Sequence, residues 1–166
     1  MSAALKVPQL HPFLNSSVIL DISNGIFETT AAMAQVVCIC EKSFVENKWK
    51  SPTPYSVFLD IESPPYRGRI LFHFSEKSLS EIYKVIVKIE GDVPTSADLL
   101  DCLGEISNQA YGVAKGKLNV DGYSFNMTMP HPILTAELLI VESKYPSIVV
   151  PFKLYDELCY IQLVLL

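Results

Sequence analysis

The chain has 166 residues, of which 49% are hydrophobic and 19% are charged, and its net charge at pH 7 is −5. This balance is typical of one globular domain and excludes a disordered chain. An acidic chain without a basic face is not expected to bind nucleic acid. No apolar run approaches the roughly 18–20 residues that cross a bilayer, so no membrane interaction is predicted.

Targeting signals and cysteines indicate the compartment. Residues 1–8 lack the apolar stretch of a secretory signal. The four cysteines have neither the spacing of a zinc site nor the density of a disulfide-stabilised protein. The sequence therefore predicts a cytoplasmic protein with reduced, mostly buried thiols and with no metal or cofactor of its own.

Helical periodicity appears in three segments, which are residues 12–32, 76–90 and 97–115. In the third segment, Thr95 and Asp98 fit a capping box in which Asp replaces the usual Glu or Gln. The strands are predicted near residues 35–44, 55–62, 68–74, 123–129, 135–142, 147–153 and 157–166.

Two connections are also predicted, a long hairpin loop at residues 46–54 and a turn at residues 63–68. Helices and strands occur in blocks and do not alternate strictly, which favours an α+β fold. We expect a single domain over residues 1–166, with two layers in which long helices pack on a mostly antiparallel sheet.

A short internal repeat links the first and third helical segments. The sequence DISN at residues 21–24 recurs as EISN at residues 105–108, in each case within a long helix that precedes strands. This repeat indicates a degenerate duplication of a helix-plus-three-strand unit.

Several motifs that suggest catalysis fail on inspection. Residues 112–118 resemble a P-loop, but the motif is one residue short, lacks the Mg²⁺-binding Ser or Thr, and ends a predicted helix. His11, His73 and His131 form no metal-binding i, i+4 pair. His73 lies within an apolar strand, where we expect a hydrogen-bonded core histidine and not a metal ligand.

One polar stripe on the third helix is unusual. At about 100° per residue, Asp101, Glu105, Asn108 and Gly112 fall on one face, away from the centre of the apolar face. Asn and Gly each cost roughly 0.6–1 kcal/mol relative to Ala in a helix interior, so a solvated face usually carries other residues. The stripe is either a solvent-facing surface with a helix-packing glycine or a polar docking site.

The same stripe resembles the signature helix of the CheX/CheC chemotaxis phosphatase family. The matching pattern is Asp101-x-x-x-Glu105-x-x-Asn108-x-x-x-Gly112-x-Ala114-Lys115. Gln109 and Val113 depart from the family pattern, since an apolar and a small polar residue are expected there. Weaker similarity extends over residues 11–14, 27–29, 122–130 and 148–152.

The resemblance implies a CheX-like phosphatase that hydrolyses the phosphoaspartate of a phosphorylated CheY-type response regulator. By the family pattern, Asn108 orients the hydrolytic water, Glu105 pairs with the regulator's active-site lysine, and Asp101 and Gly112 support the contact. Mg²⁺ is expected in the partner and not in this chain. The alternative is a non-catalytic dimeric module that binds a response regulator or another signalling protein.

Two further expectations concern the first helix and the end of the chain. The stripe of Ser17, Asp21, Asn24 and Glu28 has the same spacing, but Glu28 replaces the glycine, so this stripe is predicted to be inactive. Residues 158–166 are apolar on both faces of a predicted strand. We expect a homodimer formed by sheet continuation or strand exchange that covers this strand. CheX-like proteins form such dimers, so the resemblance implies the same.

Overall fold

A computed structural model describes residues 10–88, 91–139 and 143–166. Within these residues, a short 3₁₀ turn at Pro12–Leu14 precedes three α-helices and eight strands. The helices are α1 (Ser16–Ala34), α2 (Glu76–Val87) and α3 (Ser96–Val120). The strands are β1 (Ile39–Cys40), β2 (Phe44–Glu46), β3 (Tyr55–Ser63), β4 (Tyr66–Phe74), β5 (Asn126–Met127), β6 (His131–Leu134), β7 (Ser147–Leu154) and β8 (Glu157–Leu165).

Local side-chain contacts explain where the two long helices begin. Asn15 Oδ1 accepts a hydrogen bond of 3.0 Å from the Ser17 amide at the start of α1. At the start of α3, the Asp98 amide donates to Thr95 Oγ1 at 3.2 Å, and Asp98 Oδ2 accepts from the Thr95 amide at 2.8 Å. The predicted capping box is therefore confirmed.

The sheet shows the predicted duplication. Its strand order is β1-β7-β8-β4-β3-β5, with β2 also paired to β7 and β6 also paired to β3, and every pair is antiparallel. Each half contributes a long helix, a short broken edge strand and two long strands. The edge strand of each half pairs with a long strand of the other half, so the two units interlock around β4 and β8.

The helices cover one face of this sheet and form the main core with it. Phe27 on α1 packs edge-on against Phe152 on β7, with 5.5 Å between the ring centroids. Helices α1 and α3 approach closely at Gly25, where an added Cβ would lie 2.6 Å from the Ala110 carbonyl oxygen. Glycine is required there because any side chain would push the two helices apart. The predicted two-layer α+β architecture is confirmed.

Part of the opposite face of the sheet is covered by the loop that follows β2. Trp49 in this loop packs against Tyr160 of β8 and His73 of β4, with ring centroids 5.0 Å and 5.6 Å apart. The Trp49 carbonyl also accepts a hydrogen bond of 3.3 Å from Gln162 Nε2. A loop of this chain thus covers part of the apolar surface on this face.

His73 is a structural residue of that face. Its side chain is 1% exposed. Nδ1 lies 2.7 Å from Ser56 Oγ, and Nε2 lies 3.1 Å from Gln162 Oε1. Burial lowers the pKa of His73 to about 4, although the bond to Gln162 opposes this effect. The expectation of a hydrogen-bonded core histidine is confirmed.

The structure corrects four of the predicted strands and loops. The predicted strand 35–44 contains only β1 and the first residue of β2, and Gln35 ends α1 in a left-handed conformation with φ 54°. The predicted strand 123–129 is reduced to β5. Residues 135–139 form a 3₁₀ turn and coil after β6, so this part of the predicted strand 135–142 is wrong. The loop at 46–54 joins β2 to β3, which are not paired, so it is not a hairpin loop.

Parts of other predictions fall on residues that the structure does not describe. Residues 1–8, residues 140–142 of the corrected strand and residues 89–90 of the predicted helix 76–90 lie outside the described ranges. Where it is described, that helix ends at Val87, and Lys88 adopts a left-handed conformation with φ 54°. None of the described helices is both long and apolar enough to span a bilayer.

The terminal strand has a different environment from the one expected. β8 lies between β4 and β7 in the middle of the sheet and is not an edge. Cys159, Ile161 and Leu163 are fully buried under the helices, and Val164 on the other face is also buried. The premise that a second copy must cover this strand is therefore wrong, since the helices and the Trp49 loop cover most of it.

Candidate functional site

The candidate site lies on helix α3, whose inner side is buried in the core. Leu103, Ile106 and Ala110 are fully buried on its inner side. The buried Ser107 hydroxyl donates a hydrogen bond of 2.7 Å to the Leu103 carbonyl. With one side fixed in the core and a capping box at its start, the helix holds its outer side chains on a rigid surface.

The predicted stripe lies on the outer side of this helix. Asp101, Glu105, Asn108 and Gly112 are all exposed, so the structure brings the four predicted site residues together on one solvent-facing line. Apart from its chain neighbours and the backbone of its own helix, a Cβ built at Gly112 would meet no described atom within 4 Å. The glycine is thus not needed for helix packing. This finding argues against the interpretation of the stripe as a solvent-facing surface with a helix-packing glycine.

Gln109, which departs from the family pattern, contacts the stripe directly. Its Nε2 donates a hydrogen bond of 3.2 Å to Glu105 Oε1, one turn earlier on the same helix. This contact uses one oxygen of the carboxylate and holds the side chain along the helix surface. Pairs at i, i+4 on an exposed helix contribute roughly 0.2–0.5 kcal/mol, so the contact biases the rotamer of Glu105 without fixing it.

A cavity of about 410 Å³ begins at Gly112 and extends between the C-terminal half of α3 and helix α1. Its charged lining residues are Asp21 and Glu28 from α1, Lys117 from α3, and Asp121 just after α3. Lys117 Nζ lies 2.9 Å from Glu28 Oε1 in an ion pair. The hydrogen bond and negative charge of Glu28 raise the pKa of Lys117, with a smaller contribution from Asp21.

The equivalent stripe on α1 has the same internal structure as that of α3. Ser23 Oγ donates a hydrogen bond of 2.8 Å to the Ile19 carbonyl, as Ser107 does to Leu103 in α3. The preceding isoleucines, Ile22 and Ile106, are both buried. The repeat seen in the sequence therefore corresponds to two helices with the same buried pattern.

The outer sides of the two helices differ. Asp21 and Asn24 are only partly exposed, whereas Glu105 and Asn108 are exposed. Asp21 Oδ2 is buried and accepts no hydrogen bond within the described part of the chain. Burial and the adjacent Asp121 carboxyl raise the pKa of Asp21, while Lys117 lowers it.

Sequence reasoning missed two charged residues, Lys117 and Asp121, that lie next to the α1 stripe. It ended the third helix at residue 115, but α3 continues to Val120 and carries Lys117 toward α1. Asp121 follows at the helix end, next to Asp21. Gly122 adopts a left-handed conformation with φ 86° and was the signal that could have marked the end of the helix.

Comparison with known families identifies the chain at this point. The family model described as Chemotaxis phosphatase CheX matches residues 55–153, which include all of α3. The chain belongs to the CheX family. The resemblance inferred from the stripe is therefore confirmed at the level of family. A search of curated protein sequences finds no match.

Solved structures show the same fold. A CheC-like superfamily protein from Shewanella sp. PV-4 superposes with a TM-score of 0.80 at 21% identity, over 92% of this chain and 99% of its own. The chemotaxis protein CheX from Vibrio vulnificus gives 0.77 at 18% identity, over 91% and 100% of the two chains. CheX in a CheX–CheY–BeF₃–Mg²⁺ complex from Borrelia burgdorferi gives 0.69 at 18% identity, over 89% and 97%.

Proposed function

We propose that the protein is a phosphatase that hydrolyses the phosphoaspartate of a CheY-type response regulator. The observation that carries this proposal is the exposed Glu105–Asn108 pair on the outer face of α3, in a chain that belongs to the CheX family. A protein of similar fold, CheX from Borrelia burgdorferi, was solved in complex with CheY, which supports a response regulator as the partner. Helix α3 would insert this pair into the regulator's active site.

Asn108 orients the hydrolytic water in this proposal. An acyl phosphate is already reactive, so an in-line water held in place supplies most of the acceleration that is needed. A carboxamide can both donate a hydrogen bond to the water and accept one from it, and it stays uncharged beside a phosphoryl group. Asn108 is exposed on a helix whose other side is buried, which suits a side chain that must reach into another protein.

Glu105 supplies the docking contact, with its carboxylate pairing to the regulator's active-site lysine. Asp101 lies one turn earlier and adds negative charge to the same end of the stripe. Gly112 leaves open space at the opposite end, where a side chain would obstruct the regulator. No nucleophile and no cofactor of this chain enter the mechanism, and the regulator brings Mg²⁺ and the lysine that stabilise the phosphoryl oxygens.

Phosphate release tests the proposal directly. CheY-type regulators from the source organism are phosphorylated with a small phosphodonor, freed of excess donor, and incubated with the wild-type protein or with Asn108→Ala. We expect wild type to accelerate phosphate release and Asn108→Ala to lose about 100-fold in kcat, because the water is no longer positioned. Binding of a phosphorylated regulator without faster release would instead establish the non-catalytic binding module.

We also propose a homodimer, formed at a different edge from the one expected. Strands β1 and β2 lie at an edge of the sheet, and their side chains Ile39 and Val45 are 59% and 62% exposed. Sheet continuation or strand exchange there would cover both edge and apolar surface. Light scattering coupled to gel filtration should give twice the 18.5 kDa of one chain. A monomeric mass at micromolar concentration would reject the dimer.

A further inference from the structure

The C-terminal end of the stripe borders a group of carboxylates. Gly112 belongs both to the stripe and to the lining of the cavity between α1 and α3. Asp21, Glu28 and Asp121 supply three carboxylates to this lining, and Lys117 is the one cation that the described residues place there. Whatever docks over Gly112 therefore meets the electrostatic field of this group.

A phosphorylated regulator is sensitive to that field. Its phosphoryl group carries negative charge, and like charges brought together at an interface weaken association. The effect acts over a distance of several ångströms, because the Debye length is about 8–10 Å at physiological ionic strength. Removing the single cation would leave the carboxylates unopposed beside the docking surface.

We infer that Lys117 is a positioning residue for partner docking, because its ion pair with Glu28 holds and neutralises a carboxylate that would otherwise repel the phosphorylated regulator at Gly112. The ion pair is 2.9 Å long and joins the two helices on the side of the cavity. The inference rests on the proposed function and adds a determinant of partner binding that lies outside the Glu-x-x-Asn pattern. By this inference, the Glu28 carboxylate weakens docking of the phosphorylated regulator, and Lys117 offsets that effect.

The test is a double-substitution cycle in the phosphate-release assay. Lys117→Met should raise KM for the phosphorylated regulator about three-fold at low salt with kcat unchanged, as expected for one charge near a phosphoryl group in water. Half-molar salt should abolish most of this increase. Adding Glu28→Gln to Lys117→Met should restore KM, since the cavity lining then carries the same net charge as in the wild-type protein. Lys117→Arg should keep wild-type KM, because it retains the charge.

Lys84→Met is the matched control. It removes one positive charge from an exposed Lys–Glu pair of the same length, 2.9 Å, on α2. This variant should leave KM unchanged, and melting curves should show that all variants are folded. If Lys84→Met raised KM as much as Lys117→Met does, the effect would come from the net charge of the protein, and the inference would be overturned.

Two other outcomes overturn the inference while leaving the proposed function intact. One is an active Lys117→Met protein with wild-type KM at low salt. The other is a double variant whose KM stays as high as that of Lys117→Met. If the wild-type protein itself releases no phosphate from any regulator, the proposed function fails instead, so the two failures are distinguishable.

Discussion

Helices α1 and α3 carry the same four-residue pattern in two different surroundings. Both bury an isoleucine and a serine whose hydroxyl donates to the carbonyl four residues earlier. On α3 the outer carboxylate and carboxamide are exposed, and Gly112 opens the approach to them. On α1 the corresponding residues are partly covered, and Glu28 replaces the glycine and pairs with Lys117.

The difference shows which parts of the duplicated unit the fold requires. The buried isoleucine and serine are needed in both helices, because each helix must pack on the sheet and on the other helix. The outer residues have no such requirement, so they differ between the halves. Under the proposed function, the α1 stripe is therefore expected to be inactive, because it lacks the open surface that α3 retains.

The largest effect is expected when α3 is made to resemble α1. Gly112→Glu places at the end of the stripe the residue that α1 carries at the equivalent position. A carboxylate there would obstruct docking and repel the phosphoryl group, and we expect a loss of about 100-fold in kcat/KM, which corresponds to roughly 2.7 kcal/mol. The measurement is phosphate release from a phosphorylated regulator.

Gly112→Ala is the control for this substitution. Its added methyl meets no described atom within 4 Å beyond its chain neighbours and its own helix backbone, and alanine favours the helix by roughly 1 kcal/mol. We expect a stable protein that keeps most of its activity. Wild-type kcat/KM in Gly112→Glu would contradict the assigned role of the open space.

A smaller effect is expected from removing the proposed docking carboxylate, Glu105. Glu105→Ala should raise KM about ten-fold, with a weaker effect at high salt, because the lost contact is ionic. Asp21→Ala removes the corresponding carboxylate of α1 and should leave KM within about two-fold of wild type, since Asp21 is partly covered. Equal increases in KM for both variants would mean that both stripes dock the regulator.

The smallest effect concerns stability and is confined to α1. Because the pKa of Asp21 is raised above 3.8, the folded state holds this proton more tightly than the unfolded state. The stability that the proton provides is present below pH 3.8 and is lost as the pH rises through the folded-state pKa. Asp21→Asn should therefore raise Tm at pH 7, by on the order of 1 °C, and the gain should shrink toward pH 4.

Glu105→Gln provides the comparison on α3. It neutralises the carboxylate at the equivalent but exposed position. Thermal melts of both variants at pH 4 and pH 7 distinguish the destabilising effect of burying the Asp21 carboxylate from the effect of removing any one negative charge. A decrease in Tm of Asp21→Asn at pH 7 would show that the ionised carboxylate stabilises α1 and would contradict the account.

Elements with a strong local signal could be predicted from the sequence. The capping box at Thr95, the periodicity of α3 and the repeated four-residue pattern are local features, and the structure contains all three. The exposed stripe followed from helix geometry alone, since residues at these spacings share one face. The family resemblance then gave the four residues their proposed roles.

Features that depend on contacts distant in sequence could not be predicted. The position of β8 between β4 and β7 depends on the interlocking of the two halves, and the burial of its second face depends on Trp49, which is 111 residues away from Tyr160 in the chain. The contact of Lys117 with Glu28 lies beyond residue 115, where the predicted helix ended, and it joins two helices that are far apart in the sequence. Short edge strands such as β1 have too few residues for a periodic signal.

The most direct test of the central claim is a comparison of Asn108→Ala with Asn24→Ala in the phosphate-release assay, each at saturating phosphorylated regulator. The account predicts a loss of about 100-fold in kcat for Asn108→Ala and wild-type kcat for Asn24→Ala. It also predicts that the doubly substituted protein matches Asn108→Ala. Residual hydrolysis by Asn108→Ala that disappears on adding Asn24→Ala would show that the α1 stripe is active and would contradict the account.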